Sequence, residues 1–448
     1  MSEAGEQRKK ALMEAMAERG ATHLHVGLFD SDAVFRHKRV DAIKAGKLAS
    51  QGYPFCDVLY RWDTAEELFH QGTFQDEPAR LDLDSLRGYP FADRAAVCIA
   101  DFEPPFGERS ARNALQRQLD KAAAQGLTLQ AAFEFEFSLL QETPDSLRAK
   151  DFAQLEPFAK ANRTYSLQTA ALYEDLLQGL EDCMETLGVT LDALHTELGP
   201  GCLEAPLRYT QGMKAADDAA LFKNFAKAYF LRQGIMAAFL SKLSPDLPGQ
   251  SGHVHLSLLD GAGRPLFHDA SAPDGLSQQA RHFIGGLLAL LPEGLALCSH
   301  TVNAYKRLVP GTWAPVYAAW GVQNRSAAVR VINDSPEATR VEFRVPSSDC
   351  NPHAALALAL GAGLWGMENR IEPPAARDDD CYATPAPPGS AFPATLAEAA
   401  QRLEASSLAR QILGAAFIDS WAEGRRHEAA AYATQVTPWE IKRYLEVV

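Results

Sequence analysis

Alternating apolar and polar residues define a predicted strand over residues 128–140. Phe133, Phe135 and Phe137 fall on one face of this strand, and Glu134 and Glu136 fall on the other. Side chains on one face are spaced about 7 Å apart, so these two carboxylates repel each other unless a cation lies between them or they reach water. The pattern alone favours a solvated strand face, and a divalent-metal pair is the alternative.

A second alternating stretch covers residues 339–345. It places Arg340, Glu342 and Arg344 on one face of a strand, above an apolar support formed by Val341, Phe343 and Val345. A third stretch, residues 252–257, places His253, His255 and Ser257 on one face. Each pattern has a simple structural explanation, a half-buried strand or a satisfied core histidine, and a sharper one, an anion-binding or metal-binding face.

Apolar spacing of the helical kind predicts helices over residues 110–125, 172–187 and 214–242, the last ended by Pro245 and Pro248. The prolines and glycine at 104, 105 and 107 predict a domain boundary, with domains of 1–105 and 106–448. A surface loop over 372–395 and a helical end over 396–448 complete the predicted organisation.

The composition narrows the function classes. The net charge of -14 and the pI of about 5.4 argue against nucleic-acid and anionic-membrane partners, which need a basic footprint. Seven cysteines without a C-x-x-C pair predict reduced thiols and a cytoplasmic protein. The N-terminus lacks the apolar core of a signal peptide, and no apolar run approaches the length of a membrane span.

Four motifs, in one order and spacing, resemble the glutamine synthetase family. They are NAYKRLVPG at 303–311, NRS at 324–326, RVEFR at 340–344 and NP at 351–352. The resemblance implies an α+β fold, with a small β-grasp-like N-terminal domain and a large catalytic domain whose curved antiparallel sheet is flanked by helices. It also implies a homo-oligomer, typically a dodecamer, with active sites shared between subunits.

The resemblance also assigns roles to individual residues. The metal ligands it implies, for two or more Mg²⁺ or Mn²⁺ ions, are Glu134, Glu136, Glu197, Glu204, His253 and Glu342. The ATP contacts it implies are His255, Ser257, Arg325, Arg330 and Arg340, with Arg325, Arg330 and Arg344 also catalytic. Arg307 and Arg344 match the family's arginines for the α-carboxylate of glutamate. The implied reaction phosphorylates the γ-carboxylate with ATP, and an amine then displaces phosphate.

The chain departs from ammonia-using family members at Trp313. Those members carry a glutamate immediately before Ala-Pro, and this chain has Trp313 before Ala314 and Pro315. Tryptophan cannot deprotonate ammonium, but its π-face attracts an alkylammonium by about 0.5–2 kcal/mol. A second departure is at the aspartate that holds ammonium in the N-terminal domain, where the alignment places Cys56 or, with a one-residue slip, Asp57.

We therefore predict an ATP-dependent ligase that joins glutamate to an organic amine and gives a γ-glutamylamide. No acidic pocket for a second amino group is identifiable in the sequence, which favours a monoamine over a diamine or polyamine. The alternatives are a glutamine synthetase that uses ammonia, a non-catalytic member of the family, and a ligase that uses a different acid, since Arg307 and Arg344 argue only for an α-carboxylate.

Overall fold

Two β-sheets organise the chain. The computed structural model describes residues 2–160 and 163–448. In this part of the chain, the first sheet has the strand order β2-β1-β6-β4-β3, with β5 paired to β6, and β1 runs parallel to β6. Its strands are β1 (His23–Phe29), β2 (Phe35–Asp41), β3 (Tyr53–Cys56), β4 (Asp76–Leu81), β5 (Arg87–Gly88) and β6 (Ala95–Phe102). Helices α1 (Glu3–Glu18) and α2 (Ala42–Gln51) accompany it.

The second sheet carries the predicted chemistry. Its order is β13-β14-β15-β12-β7-β9-β8, and β10 and β11 also pair with β7. All its pairs are antiparallel except β13 with β14, a parallel pair that the sequence did not predict. The strands are β7 (Thr128–Leu140), β8 (His195–Thr196), β9 (Cys202–Pro206), β10 (Thr210–Gln211), β11 (Met236–Ala238), β12 (Gly252–Leu259), β13 (Trp320–Val322), β14 (Val329–Ile332) and β15 (Arg340–Phe343).

Helices cover the second sheet and build the main core. They are α3 (Ala111–Ala124), α4 (Pro144–Ala149), α5 (Leu167–Leu172), α6 (Glu174–Thr186), α7 (Met213–Arg232), α8 (Gln278–Gly294), α9 (Pro352–Asn369), α10 (Leu396–Ala405), α11 (Ser407–Leu413), α12 (Ala415–Ala433) and α13 (Pro438–Tyr444). Helix α9 begins where the Asn351 side chain accepts hydrogen bonds from two backbone amides, with Pro352 at its first turn. The backbones of α8 and α9 touch at Gly286, where a Cβ would lie 2.1 Å from the Ala362 carbonyl oxygen.

The buried apolar residues fall into two large clusters. One surrounds the first sheet and runs from Leu12 to Phe106. The other surrounds the second sheet and its helices and takes in Phe29, Val97 and Ile99 from the first sheet. The two sheets thus have separate cores that touch along one side. The domain boundary after residue 105 stays a prediction, and the separate core that ends at Phe106 supports it.

The helix predicted over 214–242 is wrong at its C-terminal end. Helix α7 stops at Arg232, Gly234 follows with a φ of 73°, and residues 236–238 form β11. Glycine reaches this left-handed conformation at little cost, so it ends the helix before the prolines do. The segment then returns to pair with β7, burying Phe239 against Phe137 at a ring-centroid distance of 4.8 Å.

No described helix has both the length and the apolar character that a membrane crossing requires. Six of the seven cysteines are buried, and Cys56 is half-buried.

Candidate active site

Strand register brings the predicted polar residues together on one face of the second sheet. Across β7 and β12, Glu134 lies opposite His253. Across β12 and β15, His255 lies opposite Glu342, which in turn lies opposite Arg330 on β14. Directly opposed side chains in antiparallel strands have Cβ atoms about 5 Å apart. The predicted ligands are therefore neighbours because of the pairing of four strands.

A second row crosses β7, β9 and β8. Glu136 lies opposite Glu204, and Glu204 lies opposite His195. The β8–β9 hairpin turns through the Gly-Pro-Gly segment at 199–201, where Gly199 and Gly201 have φ of 112° and 72°. This turn places Glu197 and Glu204 beside each other, as expected from the sequence.

Two groups of side chains have ligand atoms close enough to share a metal ion. One consists of Glu134, His255 and Glu342, and the other of His195, Glu197 and Glu204, and within each group the ligand atoms lie within 4.8 Å of one another. Histidine nitrogen and carboxylate oxygen suit divalent ions such as Mg²⁺ and Mn²⁺. The residues present therefore fit the metal sites that the resemblance implies.

His195 is a member of this arrangement that the sequence analysis did not identify. Its Nε2 lies 3.5 Å from Glu204 Oε2. Its position two residues before Glu197 is the signal that could have found it, because residues at i and i+2 of an extended segment share a face.

His253 and Glu136 lie outside the two groups but face the same site. His253 is buried, neither of its ring nitrogens has a hydrogen-bond partner among the described residues, and its Nδ1 lies 3.5 Å from Glu342 Oε1. A buried nitrogen without a partner is costly unless a ligand satisfies it. Burial lowers the pKa of His253 well below its usual value, as does Arg344, so the ring is neutral and has a lone pair to offer.

The carboxylates show the strain that a cation would relieve. Burial raises the pKa of Glu204, and the neighbouring Glu134, Glu136 and Glu197 raise it further. Burial also opposes ionisation of Glu134, but hydrogen bonds from His255 and Glu204 and the nearby histidines together outweigh it and lower the pKa of Glu134. Of two carboxyl groups this close, one ionises and the other keeps its proton until a cation binds.

His255 has a tautomer fixed by its neighbours. Arg340 Nε donates to His255 Nδ1 at 3.1 Å, and an arginine cannot accept, so Nδ1 carries the lone pair. Nε2 therefore carries the proton and donates to Glu134 Oε2 at 2.9 Å. Both ring nitrogens are engaged in this tautomer, so the carboxylates of Glu134 and Glu342 would hold a metal ion here and His255 would orient Glu134.

Two of the predicted site arginines, Arg330 and Arg344, bind Glu342. Arg330 Nη1 donates to Glu342 Oε2 at 2.8 Å, and Arg344 donates to Oε1. Burial opposes the charge of Glu342, but the neighbouring cationic groups, Arg344 and Arg330 among them, overcome this and lower its pKa to about 2. This buried carboxylate is ionised and held between two guanidinium groups.

The two arginines predicted to bind glutamate are buried and point into the protein. Arg307 donates to the carbonyl oxygens of Val345 at 2.9 Å and Arg344 at 3.1 Å. Arg344 Nε donates to the Arg325 carbonyl at 3.0 Å. Their positions are therefore set by the backbone around β15.

A cavity of about 570 Å³ adjoins the first metal-capable group. Its lining includes four predicted site residues, Glu134, His255, Ser257 and Arg340. It also includes Gln130, Tyr209 and Glu337, which the sequence did not single out. A volume in this range accommodates a small-molecule ligand.

A second cavity, of about 680 Å³, is lined by Trp313, Arg325 and Tyr382, together with Asp378, Asp379 and Asp380. The sequence analysis identified no acidic pocket, and this cavity has an acidic wall. The three aspartates lie in the segment predicted to be a surface loop, about 65 residues after Trp313, and only the fold brings them together. Asp379 forms a two-pronged ion pair with Arg377 at 2.7 and 2.6 Å. Asp378 and Asp380 lie outside this ion pair, and Asp380 Oδ1 accepts from the Tyr382 amide at 2.9 Å.

Cys56 and Asp57 do not line the cavity that contains Trp313. They lie at the end of β3 in the first sheet, where Asp57 is fully buried and pairs with Arg61 at 2.9 Å. The half-buried Cys56 is the more accessible of the two. Their role in an amine site stays a prediction.

Comparisons with known proteins agree with this geometry. The profile of the glutamine synthetase catalytic domain matches residues 108–444. The type-1 glutamine synthetase 2 of Dictyostelium discoideum is 36% identical, over 94% of this chain and 82% of that protein. A glutamate–isopropylamine ligase of a Pseudomonas species is 31% identical over the full length of both chains. The solved structure described as "Apo GmaS without ligand" superimposes with a TM-score of 0.84 and 29% identity, over 97% of this chain and 99% of that one.

The predicted α+β architecture is thereby confirmed, since the solved relative follows the chain almost from end to end. The family profile covers both metal-capable groups, both cavities and the arginines around Glu342. By its sequence, its fold and the side chains gathered on its second sheet, this chain belongs to the glutamine synthetase family.

Proposed function

We propose that this protein is an ATP-dependent ligase that joins the γ-carboxylate of L-glutamate to an organic amine, through a γ-glutamyl phosphate intermediate, and releases ADP and phosphate. The similarity to a glutamate–isopropylamine ligase over the whole of both chains supports this function. So does the set of ligands and arginines on the second sheet, which suits phosphoryl transfer to a carboxylate.

The position of Trp313 is the main reason for proposing an organic amine instead of ammonia. Its side chain is 63% exposed and lines the 680 Å³ cavity beside Arg325. The indole offers an apolar and π-electron surface, which attracts an alkylammonium and cannot remove a proton from ammonium. The cavity is large enough for a substituted amine, and ammonia would leave most of it filled with water.

In the first step, the γ-carboxylate of glutamate attacks the γ-phosphate of ATP. We assign the nucleotide to the 570 Å³ cavity, where His255, Ser257 and Arg340 would contact it. Divalent ions held by the two metal-capable groups neutralise phosphate oxygens when bound. Arg330 and Arg325 would offset the charge that develops on the transferred group. Arg307 and Arg344 would hold the α-carboxylate and so aim the γ-carboxylate at the phosphorus.

In the second step, the amine nitrogen attacks the acyl carbon, and phosphate leaves. The attacking amine loses a proton, which Trp313 cannot accept and which the departing phosphate can take. The acyl phosphate reacts readily with water, so the walls of the amine cavity must exclude water. We place the substituent of the amine against Trp313, with the carboxylates of Asp378 and Asp380 further along the wall.

The acidic wall changes the expected amine. A monoamine would contact only the indole, whereas a linear diamine could place its second ammonium near Asp378 or Asp380. Phosphate release from ATP should therefore be measured with glutamate, Mg²⁺ and a panel of ammonia, monoamines, diamines and polyamines, with each amide product identified by mass spectrometry. Release with an organic amine and little with ammonia is the expected result. Release with ammonia alone would make the protein a glutamine synthetase, and no release with any amine would argue first against glutamate as the acid.

We also infer a cytoplasmic homo-oligomer, a dodecamer in the family's usual form, in which each amine site is completed by a neighbouring subunit. The separation of Cys56 and Asp57 from the cavity of Trp313 supports this arrangement, because only a neighbour's loop could then contribute them. Native mass spectrometry would give the subunit number. A variant with Cys56→Ala mixed with one with Arg344→Ala should regain activity, as each mixed pair of subunits would contain some intact shared sites.

A further inference from the structure

The loop that carries Trp313 has a backbone that its own sequence does not favour. Gly311 has a φ of 78°, and Trp313, a bulky residue, has a φ of 60°. A left-handed conformation costs a non-glycine residue about 1–3 kcal/mol and persists only where surrounding contacts impose it. Something other than local preference must therefore hold the indole in the wall of the cavity.

On its inner side, the loop is held by Thr312. The Thr312 hydroxyl donates to the carbonyl oxygens of Arg307 at 2.9 Å and Val309 at 2.7 Å. These bonds tie the start of the loop to the buried Arg307. They do not reach the residues that follow Trp313.

On its outer side, the loop is held by Tyr382. The Tyr382 hydroxyl donates to the carbonyl oxygen of Ala314, the residue immediately after Trp313, at 3.0 Å. Tyr382 and Trp313 line the same cavity. Burial raises the pKa of Tyr382 to about 12, so the phenol keeps its proton and remains a donor at neutral pH.

Tyr382 is itself fixed by the loop that carries Arg325. The Cys381 amide donates to Ser326 Oγ at 3.0 Å, and Asn324 Nδ2 donates to the Asp379 carbonyl at 2.9 Å. The Tyr382 amide donates to Asp380 Oδ1 at 2.9 Å. One short segment therefore connects the loop of the candidate phosphate-binding Arg325 to the loop of Trp313.

We propose that Tyr382 is a positioning residue for the amine, which acts through Trp313: its hydroxyl holds the indole in place, and so sets the affinity for the amine and the share of γ-glutamyl phosphate that reacts with amine instead of water. This inference rests on the proposed function. It assigns a role to Tyr382 that does not involve contact with the reacting atoms, and it makes the segment from Arg377 to Tyr382 the outer wall of the amine site.

The test compares Tyr382→Phe with Tyr229→Phe. Tyr229 offers a matched control, because its hydroxyl also donates to a backbone carbonyl, that of Leu176, at 2.8 Å, and it lines neither cavity. In the full-length protein, Tyr382→Phe should raise the KM for the best amine about fivefold, the effect of losing one hydrogen bond, and should raise the ratio of phosphate to amide released. The KM for ATP should stay within twofold, and Tyr229→Phe should match the wild type.

Two further measurements separate positioning from general damage. In a variant that already carries Trp313→Phe, the Tyr382→Phe change should not raise the KM for the amine further. The reason is that Tyr382 acts on the amine only by holding the indole, which that variant lacks. The Trp313 contribution to time-resolved fluorescence anisotropy, isolated by subtracting the Trp313→Phe variant, should show more fast motion in Tyr382→Phe than in the wild type.

The outcomes are distinct from those of the proposed function. Equal rises in KM for ATP and amine, an unchanged KM for the amine, or unchanged motion of Trp313 would each overturn the role of Tyr382. A wild-type protein that uses no organic amine would instead overturn the proposed function, and the fluorescence measurement would still report whether Tyr382 holds Trp313.

Discussion

Gly249 and Arg307 are packed so closely that a Cβ on Gly249 would lie 2.6 Å from Arg307 Cγ and 3.1 Å from its Cβ. These atoms are at the base of the arginine side chain, which cannot swing away as its tip could. Any larger residue at position 249 must therefore push Arg307 out of its place above β15.

The first prediction follows from this contact. Gly249→Ala should weaken the bonds of Arg307 to the Val345 and Arg344 carbonyls and raise the KM for glutamate by tenfold or more, since charged hydrogen bonds contribute about 1.5–3 kcal/mol. The KM for ATP should change less than threefold. Gly261→Ala is the control, because its Cβ would meet only the Gly126 carbonyl oxygen, at 3.6 Å. A folded Gly249→Ala enzyme with wild-type affinity for glutamate would exclude Arg307 from glutamate binding.

The second prediction concerns the choice between ammonia and an organic amine. Trp313→Glu should raise kcat/KM for ammonia relative to an alkylamine by more than tenfold, because it supplies a carboxylate that holds and deprotonates ammonium. Trp313→Gln removes the indole without adding charge and should lower alkylamine use without improving ammonia use. Both substitutes meet the same backbone cost at a φ of 60°. An unchanged preference in Trp313→Glu would remove Trp313 from the amine site.

The third prediction tests the acidic wall. The double change Asp378→Asn and Asp380→Asn should raise the KM for a linear diamine about three- to tenfold, as each exposed carboxylate contributes up to about 1 kcal/mol to binding a cation. The KM for a monoamine of equal length should not change. Asp246→Asn, an exposed acid outside the lining of this cavity, is the control. Equal changes in KM for the diamine and the monoamine would show that these aspartates do not bind a second ammonium group.

The fourth prediction concerns divalent ions. Mn²⁺ at a hundred times its Kd should stabilise the wild type by about 2.7 kcal/mol per site, which calorimetry detects as a rise in Tm. Glu204→Gln removes a carboxyl that Glu134, Glu136 and Glu197 crowd, so the metal-free variant should melt at or above the wild-type temperature, with a smaller rise on adding Mn²⁺. Glu185→Gln, an exposed change on α6, should behave as the wild type. A full Mn²⁺ response in Glu204→Gln would rule Glu204 out as a ligand.

The fifth prediction is a pH dependence in the first sheet. His25 stacks on Tyr89 with ring centroids 3.8 Å apart, and burial, His37 and Arg39 lower its pKa to about 4. Between pH 6.5 and 4 the unfolded chain therefore binds a proton that the folded chain does not, and the free energy of unfolding falls as the pH falls. Nothing is lost above pH 6.5.

With solvent screening, the effect at His25 is on the order of 1–3 kcal/mol, at 1.36 kcal/mol per pKa unit. Denaturant titrations at constant protein concentration should show a shallower loss in His25→Phe, which keeps the stack on Tyr89. His70→Gln, at an exposed ion pair with Glu423, should keep the wild-type slope. Equal slopes in His25→Phe and the wild type would place the acid sensitivity elsewhere.

The sequence predicted the second sheet well because its strands alternate strictly. Strand β7 has the predicted bounds of 128 and 140, and the face of Arg340, Glu342 and Arg344 rests on the expected buried valine and phenylalanine residues. The prediction extended helix α7 ten residues too far, because the apolar residues after Gly234 continued the helical spacing and the glycine was not taken as a stop. Those residues are buried by β11 and not by a helix.

The sequence predicted which site residues share a face of one strand, but not which strands lie side by side. The two ligand rows need cross-strand register, which no local pattern contains. The acidic wall depends on a contact between the Trp313 loop and a segment about 65 residues later. The internal bonds of Arg307 depend on backbone carbonyls, whose positions the sequence pattern does not reveal.

The register of β12 determines which site residues can be exchanged separately and which cannot. A slip of one residue in the pairing would turn His253 and His255 to the opposite face. Such a slip would put a residue with a Cβ in the place of Gly252, where a Cβ would lie 2.7 Å from the Ser347 carbonyl oxygen. The two histidines therefore keep the face that they share with Glu134 and Glu342. Trp313, Asp378 and Tyr382 stand on connecting segments, where a substitution alters no strand register and is accepted more freely. The proposed amine wall could thus be redesigned one residue at a time without disturbing the candidate metal face.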